Sequence, residues 1–387
     1  MKKINLLIIS LSFVDKNISG GDKIYIEFLR NLRKDDFKID IVTNNFGFQI
    51  YNKLLEKDSI NLIKFHIIDS KKIYILGYHF SFFTKILFSY IKIKKIDFSH
   101  IDIVLSTSDF LSDILPSLSV FQKYRTKIIA SFFLKASKPF DKDFPYRGFL
   151  FINGFFYWLL QLFSIYLINR YINNIIICSS YVKKFFYSKN YFYIPGGVNS
   201  KDISINEKKR FTACFYARFH PQKGPDEIIK IWSIYVKKYN SHAKLLMIGD
   251  GPLFKICIDL AKKLHIENNI DFTGYILDDN MKSKYFNQSK ILVHPAIYDT
   301  GGMAALEVMS FGLPGISYDL EGLKETYPIG MMKVKCFDKE EFAKFIDILD
   351  DNKNQMYDLL KKEVLTLSKK WDWKKRAQEM RKFINEC

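Results

Sequence analysis

Short apolar runs of the kind a parallel sheet buries on both faces recur along this chain, separated by residues at helical spacing. That alternation points to an α/β layer fold. Residues 4–10 form the first run, Gly20-Gly21 marks a loop, and Ile24, Phe28 and Leu32 place a helix over 23–34. The run at 39–43 completes a strand–helix–strand unit, and 101–106, 127–131 and 174–178 repeat the strand signal. Pro195-Gly196-Gly197 then breaks the series, which restarts with runs at 211–216, 244–248, 270–273 and 291–294. A last apolar piece at 315–317 precedes a helical C-terminus from about residue 338. The 387 residues exceed the ~100–200 of one ordinary domain, so the reading is two α/β domains with a ligand in the cleft between them.

Charge is unevenly divided. Residues 1–195 hold 28 Lys and Arg against 15 Asp and Glu, a net of +13, whereas 196–387 hold 31 against 26, a net of +5. Either the first half meets an anionic partner, or it carries a generally Lys-rich surface. Nucleic acid lacks a supporting motif. The five cysteines are scattered without a CxxC pair, which argues against a disulfide framework or a zinc site and fits a reducing cytosol. Met1-Lys2-Lys3 and the apolar residues after it imitate a signal peptide. No small-residue cleavage site follows, so a buried first strand is expected.

Residues 148–169 carry no charge and are flanked by Arg147 and Arg170, long enough to span a bilayer. Asn153, Tyr157, Gln161 and Ser164, however, follow one another at helical spacing and form a polar stripe, which favours a buried or interfacial helix. In 75–95, Tyr78, Phe80, Phe82, Phe83, Phe88 and Tyr90 interleave with Lys85, Lys92, Lys94 and Lys95. This composition suits an anionic membrane surface, and equally a core helix with a solvated lysine edge.

The chemistry concentrates in two stretches. In 298–314, Gly301-Gly302 open a helical run that ends at Gly312, and a glycine-opened helix start offers free amides to phosphate. Asp299 precedes it and Glu307 lies inside it. Eight positions of helix separate them by about 12 Å, against the ~5 Å of a retaining glycosidase pair, so they suit two ends of one ligand. In 215–224, Arg218 and Lys223 stand on one strand-to-helix loop, where two cations can neutralise a diphosphate.

With these residues the chain resembles the retaining, nucleotide-sugar-dependent glycosyltransferases of the GT-B fold (glycosyltransferase family four, the "glycosyl transferases group 1" type). The signature is an acid, seven residues, then Glu, here Asp299 to Glu307, followed by Phe311-Gly312-Leu313-Pro314. Supporting matches are Gly20-Gly21, Ile194-Pro195-Gly196-Gly197-Val198-Asn199, Arg218 with Lys223-Gly224, Ile248-Gly249-Asp250-Gly251-Pro252, Phe272-Thr273-Gly274 and Trp371. The resemblance implies two Rossmann-like domains facing each other across a cleft: an acceptor-binding domain at 1–195, a linker at 196–210 and a nucleotide-sugar-binding domain at 211–368. A C-terminal helix at 369–387 would pack back on the first domain.

It further implies transfer of a hexose from a UDP- or GDP-sugar to a glycan, lipid-linked or protein-linked acceptor, with retained configuration and neither metal nor cofactor. The scattered cysteines suit a cytoplasmic enzyme, and the charge excess of the first half with the aromatic stretches points to a peripheral place on the cytoplasmic membrane face. By the same resemblance Arg218 and Lys223 bind the donor diphosphate and Asp299 accepts from sugar hydroxyls, a catalytic set. Glu307 holds the ribose; Gly302, Met303 and Ala304 offer amides; Gly274, Tyr275 and Ile276 meet the base; Gly21 closes on the phosphates. Two departures stand out. Asp299 is one methylene shorter than the usual Glu, and Phe133 falls where many members carry a His, leaving Lys135 or a backbone carbonyl on the acceptor side. They motivate a rival reading, a degenerate transferase that binds a nucleotide sugar or glycan without turnover. Gly249-Asp250-Gly251 lacks the third glycine of a dinucleotide fingerprint, Asp141-Lys142-Asp143 lies in a polar loop rather than after a strand, and the seven histidines show no metal-ligand spacing.

Overall fold

The computed structural model describes residues 3–13, 18–32, 36–68, 78–141, 144–148, 150–199, 207–351 and 355–387, with backbone alone for 78–82. Outside it fall residues 75–77 and the side chains of Tyr78, Phe80 and Phe82, along with Lys142 and Asp143 of the loop motif and part of the expected linker, 200–206. The chain forms two compact units. One comprises Met1–Asp141, Arg147–Pro195 and Trp373–Cys387; the other comprises Lys142–Tyr146 and Gly196–Asp372.

In the first unit the strands are β1 (Ile4–Ser10), β2 (Phe37–Thr43), β3 (Ile63–Ile67), β4 (Ile103–Ser106), β5 (Lys127–Phe132), β6 (Asn174–Ile177) and β7 (Asn190–Tyr193). They form one parallel sheet in the order β3-β2-β1-β4-β5-β6-β7. The second unit holds β8 (Phe211–Tyr216), β9 (Leu245–Ile248), β10 (Ile270–Gly274), β11 (Ser289–His294), β12 (Gly315–Tyr318) and β13 (Met331–Val334), parallel in the order β10-β9-β8-β11-β12-β13. In each sheet the first three strands run outward one way and the fourth returns beside the first, the Rossmann order. The C-terminal ends of β1 and β4, and of β8 and β11, therefore flank a reversal of winding.

The central strands are buried on both faces, which is why they read as unbroken apolar runs. Around the second sheet, the helices Pro225–Lys238, Phe254–Lys263 and Lys339–Asp350 cover one face, with Trp232 and Tyr235 in the core. Met303–Met309 and Met356–Ser368 cover the other. Strands β3, β7 and β13 carry no continuous apolar run and escape the sequence reading. Each lies at a sheet edge and is partly exposed, so burial does not demand one. The apolar piece at 315–317 is accordingly not the last strand, since β13 pairs beyond it.

The C-terminal helix Trp373–Glu386 belongs to the first unit and packs on the helix Gly20–Arg30. Arg381 Nη1 donates to Asp36 Oδ1 at 2.6 Å, and the Phe383 ring stacks on Phe192 at 5.0 Å. The helix Leu150–Tyr171 is long and apolar enough to cross a membrane by length and composition. Its stripe nevertheless faces protein: Gln161 and Ser164 are buried, Gln161 Nε2 donates to Asp109 Oδ2 at 2.8 Å and to Leu134 O at 2.7 Å, and Ser164 Oγ donates to Asp109 O.

Candidate active site

In the second unit β8 and β11 are neighbours whose following loops, 217–224 and 295–302, meet at the reversal point. Gly224 makes the meeting possible. Its φ of +65° is left-handed, and an added Cβ would lie 2.2 Å from Pro295 O. Main-chain bonds lock the approach, Ile297 N and Tyr298 N donating to Gln222 O at 3.0 and 3.3 Å.

This approach pairs two of the expected residues. Lys223 Nζ donates to Asp299 Oδ2 at 2.7 Å, and His294 Nε2 lies 3.0 Å from the same oxygen. The other oxygen, Oδ1, accepts from Thr300 N at 2.9 Å and Gly302 N at 3.2 Å. Burial alone would raise the Asp299 carboxyl, but Lys223 and His294 hold it well below the usual range. Burial likewise disfavours the imidazolium of His294 against the pull of Asp299, which leaves a neutral ring donating from Nε2. The expected role of Asp299, accepting from sugar hydroxyls, meets a carboxylate whose two oxygens already receive four protein donors. Its evident work is to hold Lys223 and the 299–302 turn.

Gly302 caps the helix Met303–Met309 in left-handed conformation, φ +55°, and Tyr327 OH donates to its carbonyl at 2.6 Å. Met303 and Ala304 are the first two residues of that helix, where N–H groups have no intrahelical acceptor. Arg218 differs from Lys223 in being exposed, and no hydrogen bond or ion pair engages its guanidinium among the described residues. Its field reaches His220 and Tyr146: burial, then Arg218 and Lys223, push His220 down to about 4, and burial pushes Tyr146 up to about 12 against Arg218. The two rings meet edge to face at 5.4 Å, and Tyr146 OH donates to Gln222 Oε1 at 3.3 Å.

Glu307 stands apart from the Lys223–Asp299 pair. Lys282 Nζ donates to it at 3.3 Å while also meeting Asp279 at 2.6 Å. Burial raises the Tyr216 hydroxyl well above its ordinary range, and Glu307 and Tyr275 add to the rise, so both act on one neighbourhood. Gly274, at φ +71°, turns the chain after β10; Tyr275 is exposed, and Ile276 is buried beside a cavity of about 460 Å³ that Met281, Tyr285 and Arg210 also line.

In the first unit Gly21 and Phe133 come together, an added Cβ on Gly21 lying 2.9 Å from Phe133 Cδ2. Lys135 Nζ donates to Gln161 Oε1 at 3.3 Å, within reach of the buried Asp109, whose carboxyl burial raises to about 6. Sequence reasoning missed Asp109, Lys282 and Tyr327, which carry no motif, and noted for His294, as for the other histidines, a lack of metal-ligand spacing. Its place at a strand end, five residues before the acid, was the available signal. Among the described residues no cluster of three His, Cys, Asp or Glu side chains could hold a metal ion.

The site has an acid dependence. Below pH 6.5 an unfolded His220 takes up a proton that the folded ring refuses until about 4, so stability falls as pH drops through that window. Between pH 7 and 5 the loss from this ring is about 2 kcal/mol, measurable as a shift in urea midpoint. His220→Gln should remove that part of the shift; an unchanged difference between the two pH values would refute the assignment.

Residues 199–363 match the family model described as "Glycosyl transferases group 1". An uncharacterized glycosyltransferase of Methanocaldococcus jannaschii is 30% identical over 32% of this chain and 31% of its own length. The N-acetyl-alpha-D-glucosaminyl L-malate synthase of Bacillus anthracis is 27% identical over 35% of this chain and 34% of its own. The chain thus spans about a third of the length of the curated relatives it matches. Solved structures share the fold: Anabaena HepE in complex with UDP and glucose (TM-score 0.74, 13% identity, 99% of this chain and all of that one) and sucrose-phosphate synthase of Thermosynechococcus elongatus (TM-score 0.74, 16% identity, 99% and 98%). The fold around the group 1 region is the two-Rossmann α/β class implied by the GT-B resemblance.

Proposed function

We propose that this protein transfers a hexose from a UDP- or GDP-sugar to a glycan, lipid-linked or protein-linked acceptor with retained configuration and without a metal. The observation that carries the reading is the Lys223–Asp299 pair at the reversal point of the second sheet, with the unengaged cation Arg218 on the same loop. Arg218 grips the diphosphate, and Lys223, aimed by Asp299, neutralises it. The bond from the anomeric carbon to the diphosphate oxygen breaks, and the two cations stabilise the charge that develops. The acceptor oxygen bonds to that carbon on the same face, and its proton passes to the departing phosphate. Amides of Met303 and Ala304 face the donor, Glu307 takes the ribose, and 274–276 take the base. Phe133 and Lys135 lie on the acceptor side. The name of HepE's ligand and those of the relatives support a nucleotide sugar. Five free cysteines suit a reducing cytoplasm, and the reading places the enzyme on the membrane face there.

The test is donor binding followed by turnover. UDP- or GDP-sugars should raise the melting point, and labelled donor should be consumed. Glu307→Ala should weaken donor binding by about 10- to 100-fold, the worth of a charged hydrogen bond, with calorimetry as the check. Donor affinity equal to wild type would remove Glu307 from the site. One observation favours the non-catalytic reading: the saturated Asp299 carboxylate together with Phe133 in place of a His. Donor binding with neither transfer nor slow hydrolysis would establish it.

A further inference from the structure

The outward side of the helices Tyr78–Ile93 and Leu150–Tyr171 is apolar and uncovered. Inward, Lys85 is buried and its Nζ donates to Phe13 O at 2.9 Å, which fixes the roll of the first helix. Phe83, Leu87 and Ile91, spaced by four, then face out, Leu87 at 60% exposure. On the second helix Gln161 and Ser164 fix the inward side, and Leu159, Leu162, Phe163 and Tyr166 are exposed, Phe163 at 49%. The Phe83 and Phe156 rings meet at 6.1 Å and join the two surfaces. At the start of the second helix Phe140, 84% exposed, lies 5.3 Å from the Phe151 ring. A soluble monomer rarely leaves so much contiguous apolar surface in water.

The charge around this surface identifies the occupant. Residues 83–96 contain four Lys and no acid, and 150–195 contain four Lys and Arg and no acid. Lys92, Lys94 and Lys95 are exposed at the end of the first helix, with Arg170 exposed at the end of the second. Lys92 and Lys94 lie over the Phe88 and Tyr90 rings at 5.2 and 4.1 Å, so apolar stems and charged heads share one face. A second copy of this chain would bring like charges together across the face, and a neutral apolar partner would leave them unmatched.

We propose that this helix pair docks the first unit on an anionic lipid bilayer, aromatic side chains entering the interface and lysines meeting headgroups. Gln161 and Ser164, bonded inward, keep the 150–171 helix lying on the bilayer rather than across it. The proposal deepens the membrane-face part of the reading above and is read out separately from donor chemistry. The full chain is mixed with sucrose-loaded vesicles of phosphatidylcholine with about a third phosphatidylglycerol, or of phosphatidylcholine alone, and sedimented. Binding to the anionic vesicles is expected, weakened at least tenfold by Leu87→Glu with Phe163→Glu. Three Lys→Gln changes at 92, 94 and 95 should weaken it about a hundredfold, at about a tenfold or less per lysine. Leu359→Glu, exposed on the second unit, serves as the control and should bind as wild type. An unchanged urea midpoint in all variants shows them folded. Equal binding to both vesicle types, full binding by the Leu87/Phe163 variant, or a wild-type dimer in light scattering that this variant dissociates would each overturn the proposal.

Discussion

Lys223→Ala is expected to lower turnover about a thousandfold and also to destabilise the second unit by about 3 kcal/mol, whereas Arg218→Ala lowers turnover about a hundredfold with stability unchanged. The contrast follows from burial. The Lys223 amine lies 2.7 Å from a carboxylate whose side chain is only 9% exposed, and removing it strands that charge away from water. Asp299 would keep three donors, His294 and two amides, but lose its one full positive charge. The Arg218 guanidinium stands in solvent and engages no side chain among the described residues, so truncation costs only what it gives the ligand. Lys223→Arg should not rescue turnover, since a planar fork cannot occupy the space of a point ammonium between the two loops. Steady-state rates with a UDP-sugar, alongside urea midpoints, separate the two effects. Equal stability in both variants would refute the structural role of the pair, and wild-type rates in both would refute the site.

The central strands of both sheets were legible because burial on two faces demands continuous apolar sequence, and β1, β8 and β9 stand within a residue of expectation. Of the four edge strands β10 was read, but β3, β7 and β13 were not, because strands such as Ile63–Ile67 and Asn190–Tyr193 need bury one side only. The site's charged residues were visible as types at a spacing. Their partnerships were not, because strand order, rather than sequence distance, decides that the loop after β8 meets the loop after β11. Lys223 and Asp299 stand 76 positions apart in sequence, and nothing in the sequence between them signals the 2.7 Å bond. The same holds for the stripe of Asn153, Tyr157, Gln161 and Ser164. Periodicity indicated a buried or interfacial helix, and only the fold supplies Asp109 as the partner of Gln161 and Ser164.

Gly224→Ala should be as damaging as any change to a charged residue, though it removes no chemical group. Two costs combine. At φ +65° an L side chain is strained by about 1–2 kcal/mol. The larger cost is steric: the new methyl would stand 2.2 Å from Pro295 O and 3.1 Å from its carbon, main-chain atoms that cannot rotate aside. The loops must therefore part by about an ångström, stretching the bonds of Ile297 N and Tyr298 N to Gln222 O and, next to them, the bond of Lys223 to Asp299. A loss of about 2–4 kcal/mol and of at least a hundredfold in turnover is expected, because a shift of about 1 Å at a reacting centre can cost that much. The reference is Gly148→Ala, at φ +57° with no atom within 4 Å of the added Cβ, which should show the backbone strain alone. Thermal melts and donor-consumption rates of the two variants compare the costs directly. If Gly224→Ala were no worse than Gly148→Ala, the close approach of the two loops would not be what aims Lys223.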